Sequence, residues 1–371
     1  MRAISDNWEF RFLLHNLELK EAFDSEFMAI VPNNDARLSR IIADVPAVAS
    51  LIQNFADQFG KQRYPCALLI RKDAPGSTTS LDAIVSFRNI FALSCLLYAW
   101  PRTIKSINVF FPLWSDFFDF YPVRLTRDPN FLHILSPAAN GANQPQTFRG
   151  QVSPGLPNPA HLKFKPDDRI LPPLLHVWTR EFGKAKPSGW KTRVLFRSLE
   201  IAYQAASVPT SNMSSIYDFG SRIGLWLSAF EVLVHPRKGD ASFQTVVELL
   251  RAFPWHNPRL RRRLFLVVKS RKRNKMRVNL VQNLYGELYE ARNDFLHGNA
   301  VTASRLFPFR NKRRPSLTQV APLVYKVALS CFLEKVPYIS RKQGQQPNWK
   351  DMFDRRALES ALMATLEDRT E

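Results

Sequence analysis

The sequence predicts an α+β protein: a mixed α/β domain at the N-terminus followed by an all-helical bundle. Three observations predict it. A short apolar run, Tyr64 to Arg71 (YPCALLIR), ends at a Pro-Gly turn and reads as a buried strand among helical text. Ser136 to Pro173 then holds eight prolines with several Gly, Asn and Gln and little periodicity, the mark of a long loop or interdomain linker. Beyond Leu174 apolar residues recur at steps of three and four almost to the end of the chain. The expected division is 1–135 for the first domain, 136–173 for the linker and 174–371 for the helical domain.

Taken in order, residues 1 to 62 are poorly signposted. A helical stretch runs from Leu38 to Phe59, and Pro46 inside it marks a break or a helix start. Ser80 caps a helix, apolar nearly all round, that is expected to end at Pro101 and to be central to the first domain. Ser106 to Phe111 and Phe117 to Leu125 resemble two strands joined by a Pro-Leu-Trp-Ser turn. The aromatic cluster of Phe110, Phe111, Trp114, Phe117, Phe118, Phe120 and Tyr121 is better suited to a core than to stacking bases, because basic residues are sparse around it.

In the C-terminal half, Trp190 to Ser207 is amphipathic. Ser214 or Ser215 caps a helix to Val234, with Ile216, Phe219, Ile223, Trp226, Leu227 and Phe230 inward. Asp240 caps Ala241 to Phe253, and Pro258 starts a basic helix to about Lys272. Thr318 or Gln319 begins a helix through Val336, with Pro322 in its first turn, and Asp351 to Leu366 forms the last.

Between these lies the stretch with most chemical content, Leu280 to Gly298. Leu280, Leu284, Leu288, Ala291 and Phe295 draw one buried stripe, and Gly298 supplies a left-handed helix stop. Its last turn carries Arg292, Asn293, Asp294 and His297. Asn293 and His297 share a face, Asp294 lies three before His297, and Arg292 sits roughly 140° round the helix from it. The Arg–His spacing alone is weak: Arg251 and His256, Arg127 and His133, and Arg169 and His176 have similar separations. Each of those pairs encloses a proline, so only Arg292 and His297 lie on an unbroken helix.

The chain of 371 residues is 45% hydrophobic and 23% charged, with 28 Phe and 8 Trp, a folded rather than a disordered composition. Its three cysteines include no CxxC pair, which argues against a disulfide framework or a zinc ribbon and for a reduced cytoplasmic setting. The N-terminus lacks a signal-peptide pattern, and the apolar run around Ile90 to Trp100 is too short to span a bilayer, so no membrane is expected. No Gly-rich phosphate loop supports NTP hydrolysis.

The net charge of +20, from 52 Lys and Arg against 32 Asp and Glu, points to a polyanionic partner such as nucleic acid. No acid occurs between Arg251 and Gly286, where Arg261, Arg262, Arg263, Lys269, Arg271, Lys272, Arg273 and Lys275 fall. A second acid-free segment, Arg305 to Arg314, contains Arg310, Lys312, Arg313 and Arg314. Two basic runs bracketing one polar helix end make phosphate contact the better reading over a solvated face.

LYEARNDFLHG resembles the signature of HEPN domains (higher eukaryotes and prokaryotes nucleotide-binding), an Arg, usually a polar residue, and a His four to six positions on near the end of a long helix. RSLEIAYQAAS and the Phe230–Glu231 pair within SAFEVLV resemble the early helices of the Apea-like HEPN group. The resemblance covers roughly Trp190 to Val336. It implies a metal-independent, cofactor-free endoribonuclease in which two HEPN domains pair and their Arg/His sets form one cleft. By analogy it also implies a toxin or antiphage effector. His297 is then the acid or base, favoured in its charged form by the helix C-terminus and by Asp294 if that carboxylate points inward. Arg292 holds phosphate oxygens, and Asn293 orients the phosphate or the imidazole. Glu231 and His235, four apart, suit a structural role better than a metal pair. A non-catalytic RNA-binding or sensing module in a larger complex, with a protein partner at the N-terminal domain, is the alternative.

Overall fold

The computed structural model describes residues 7–57, 59–104, 117–135, 164–183, 189–208, 215–239, 242–268, 275–335 and 349–368. These fall into two compact units. Among the described residues, the first holds those up to Arg88, 117–135, Phe164 and Trp178–Gly183. The second holds Asn89–Ile104, Lys165–Val177 and everything from Gly189 onward.

The first unit is built on a four-stranded antiparallel sheet in the order β1 (Trp8–Leu14), β4 (Cys66–Arg71), β3 (Met28–Val31), β2 (Phe23–Asp24). The inner position of β4 explains its unbroken apolar text: Cys66 to Ile70 are all buried. β1 is harder to read because a register shift between Phe10 and Phe12 breaks its alternation. The helical stretch resolves into α1 (Ala36–Asp44), capped by Asp35, and α2 (Pro46–Gln53), with Pro46 at its first position, where no N–H donor is needed. Leu38, Val48, Leu51 and Phe55 pack with Phe10, Leu13, Ala67 and Leu69.

The expected strand Ser106–Phe111 lies outside the described residues. Its proposed partner is a strand only at β5 (Val123–Leu125), which pairs with β6 (Leu132–Ile134). Phe117 and Phe118 are fully buried, and Phe120 stacks on Phe12 at 4.7 Å, so the described aromatics of that cluster serve packing.

α3 spans Leu81–Thr103, with the Ser80 hydroxyl accepting from the Ala83 N–H, and runs two residues past Pro101. It was expected in the first domain, yet from Asn89 on it belongs to the second unit. Its length and composition would suffice to cross a membrane, but most of that apolar window is buried inside the protein.

The end of the Pro-rich stretch is folded rather than linker. Asp167 is fully buried and ion-paired to Lys326 at 2.5 Å, and α4 begins at Leu171, running to Phe182 with two prolines in its first turn.

The second unit packs α5 (Trp190–Ser207), α6 (Ile216–Leu233), α7 (Phe243–Arg251), α9 (Leu280–Leu296), α10 (Leu317–Glu334) and α11 (Trp349–Met363). α10 is buried along nearly its whole length. The Ser198 hydroxyl on α5 donates to Ala229 O of α6 and bonds the Tyr325 hydroxyl of α10 at 2.8 Å, tying three helices at one point.

Several boundaries differ from the sequence reading. Ser242 caps α7 in place of Asp240, Ser316 precedes α10, and Pro322 sits in that helix's second turn. The half expected to be all-helical also contains a two-stranded antiparallel sheet. The basic helix from Pro258 stops at Arg262 as a short α8 (Pro258–Arg262), and β7 (Phe265–Val268) pairs antiparallel with β8 (Lys275–Val278). Crowded like charges and the Phe-Leu-Val-Val run disfavour the helix and suit a strand.

Candidate functional site: the C-terminal end of α9

Asn279 and Gln282 close a reciprocal capping box at the start of α9, and Gln282 also donates to the buried Val247 O at 2.7 Å. Leu280, Leu284, Leu288 and Ala291 form the expected buried stripe, and Tyr285 joins it in an aromatic cluster with Phe230 and Phe243. Phe295 is half-buried and lies over Gly220 of α6, where a Cβ would come within 2.6 Å of its ring. Only a glycine permits that approach. At the C-terminus His297 is the C-cap, its N–H bonding Asn293 O at 3.0 Å, and Gly298 takes φ +67°.

The four polar residues of this turn have different surroundings. Arg292 Nη1 lies 3.6 Å from Glu231 Oε1 on α6, both side chains about three-quarters covered. Burial raises the Glu231 pKa, and Arg292 opposes that rise. Burial chiefly pushes up the neighbouring Tyr285 phenol, with Glu231 adding to it. Asp294 does not reach His297: its carboxylate accepts from Arg305 Nε at 2.7 Å and from Asn299 Nδ2 at 3.2 Å. Among the described residues, the Asn293 side chain and the exposed His297 ring have no hydrogen-bond partner, and no bond joins His297 to Arg292. Glu231 is tied to Arg292 and not to His235, whose backbone carbonyl accepts from Trp190 Nε1.

The two basic runs, separated in sequence by α9, meet in space. The Phe265 and Phe309 rings are 5.5 Å apart, with Arg263 over the first and Arg314 over the second. Phe309 and Arg310 hold left-handed backbone at φ 55° and 56°, and Glu287 of α9 accepts the Phe309 N–H at 2.7 Å. Arg261, Arg262, Arg263, Arg310, Lys312 and Arg313 are exposed. Arg305 is instead engaged by Asp294 and Glu290, and Arg314 by Asp368. Lys275 opens β8, while Lys269, Arg271, Lys272 and Arg273 lie outside the described residues.

Glu231, Phe265 and Phe309 were not singled out as site residues by reading the sequence. The position of Glu231 in the apolar-Glu pair was the one available signal. Compared with protein-family models, with curated proteins and with solved structures, the chain finds no match in any.

Proposed function

We propose that the helical unit is a metal-independent endoribonuclease of HEPN type, acting as a homodimer in the cytosol. The observation that carries this reading is a polar helix end, Arg292, Asn293 and His297, on the helix whose Glu287 accepts the Phe309 N–H where the two basic runs meet. Transesterification of RNA requires removal of the 2′-OH proton, protonation of the departing 5′-oxygen, and cations on the phosphorane. In a paired cleft one His297 takes the first proton and the other supplies the second. The 2′-oxygen bonds phosphorus, the P–O5′ bond breaks, and the products are a 2′,3′-cyclic phosphate and a 5′-hydroxyl. Arg292 binds the non-bridging oxygens, and Glu231 positions its guanidinium. The exposed arginines of both runs hold the flanking backbone.

Labelled single-stranded RNA incubated with the full-length protein and EDTA tests this. Cyclic-phosphate products that vanish for Arg292→Ala and for His297→Ala support it. Cleavage abolished by EDTA but kept by His297→Ala overturns it. The second reading, an RNA-binding or sensing module that does not cut, is favoured by the engagement of Arg292 with Glu231. It is supported if RNA is shifted but stays whole. A monomer at micromolar concentration, with and without RNA, speaks against the paired cleft.

A further inference from the structure

We propose that the sheet of β7 and β8 carries a membrane-surface site, which docks the helical unit onto bilayers rich in anionic lipid through two leucines set among arginines. This site does not depend on the reading of RNA cleavage.

Successive side chains of a strand point to opposite faces, and the register sorts this sheet accordingly. Phe265, Val267, Met276 and Val278 take one face and are half-buried or buried. Leu266 and Arg277, directly opposite one another, take the other face, and both are exposed. Leu264, two residues before Leu266, follows the same alternation. Leu264 and Leu266 are 52% and 57% exposed. An outward sheet face calls for polar residues, so two leucines there mark a surface that gains by leaving water.

The free charge around them is of one sign. Arg261 and Arg262, at the end of α8, are exposed just before Leu264. The contact of Phe265 with Phe309 brings the second basic run alongside, where Arg310, Lys312 and Arg313 are exposed. Among the described residues, none of these cations, nor Arg277, has a carboxylate partner. Arg263 and Arg314 are less available: each lies over a phenylalanine ring, and Arg314 also meets Asp368. The acids that reach this region are already engaged. Glu287 accepts from Phe309 N–H and Asn283 Nδ2, Glu290 pairs with Arg305, and Asp368 accepts from Asn311 and Arg314.

Charge complementarity selects an anionic partner, and the leucines decide its class. RNA offers phosphates and base faces, which reward cations and aromatic platforms and give leucine little to enter. The boundary between headgroups and acyl chains offers negative charge outside and hydrocarbon just beneath. A second copy of the chain on this face would set arginine against arginine. Such a membrane contact is peripheral and needs neither a leader nor a spanning helix, the two features whose absence argues against a membrane in the sequence. Arg261 and Arg262 are also assigned to the RNA backbone above, so membrane and RNA occupy this face in turn.

The test is cosedimentation of the full-length protein with vesicles of phosphatidylcholine alone and of equal parts phosphatidylcholine and phosphatidylglycerol. Binding is expected only to the second, and it should fall as salt rises. Leu264→Ser/Leu266→Ser, altered only at exposed side chains, is expected to weaken it on the order of tenfold by removing the inserted apolar groups. Arg261→Ala/Arg262→Ala is expected to weaken it on the order of twentyfold, each charge near an anionic surface being worth about fivefold. The leucine variant should still shift single-stranded RNA as the unaltered protein does. Failure to sediment with anionic vesicles overturns the membrane site, as does equal vesicle binding by the leucine variant. A leucine variant that loses RNA and vesicles alike also overturns it, because the face is then a nucleic-acid surface. Leucine-dependent vesicle binding by a protein that leaves RNA whole supports the membrane site and counts against the cleavage reading alone.

Discussion

The guanidinium of Arg292 at the end of α9 lies 3.6 Å from the carboxylate of Glu231 on α6, so two helices far apart in sequence share one half-buried charge pair. Glu231 is shifted toward its protonated form by burial. A carboxylate with a raised folded-state pKa contributes stability below its unfolded value. That contribution is lost as pH rises through the folded value. Glu231→Gln should therefore flatten stability across the mildly acidic range and cost little at neutral pH, read by denaturant unfolding at several pH values. In the cleavage assay the same variant should lower the rate, because Arg292 loses the group that positions it. Unchanged cleavage would leave Glu231 a packing residue only.

Asp294 is engaged by Arg305 and Asn299. Asp294→Ala should cost about 1–3 kcal/mol, because the pair with Arg305 is mostly covered and the loss strips the guanidinium of one of its two carboxylate partners. It should leave the pH dependence of cleavage where it was. A shift in the acidic or basic limb of that profile would show that Asp294 acts on His297 after all.

Gly220 faces the Phe295 ring so closely that a methyl group has no room. Gly220→Ala is expected to destabilise by about 1–3 kcal/mol through overpacking. Because Phe295 precedes His297 by two residues, activity should fall further than global unfolding explains. Full activity at temperatures well below the unfolding transition would show that the last turn tolerates displacement.

Lys326 and Asp167 form a buried pair, Lys326 also donating to Leu97 O at 2.9 Å. Lys326→Met should cost roughly 3–5 kcal/mol, since it strands a carboxylate away from water. The double variant Lys326→Met/Asp167→Leu should recover much of that loss. Chemical denaturation of the three proteins gives the coupling directly.

Local signals in the sequence determined much of this protein. Trp190–Ser207 was legible to the residue from its amphipathic spacing, and Ser215 and Gly298 mark real helix ends. The apolar run before Pro75 was legible as a buried strand. Caps, periodicity and proline act within a few residues, so they can be read without knowing the rest of the chain. Tertiary structure alone decided the pairings between distant segments. It joined Arg292 to Glu231, paired Phe265–Val268 with Lys275–Val278 as antiparallel strands, and brought Phe265 against Phe309. It also drew Asp167 out of the Pro-rich stretch to a lysine 159 residues away. Charge attraction and desolvation depend on distance in space, and residues that meet only after folding leave no local pattern to read.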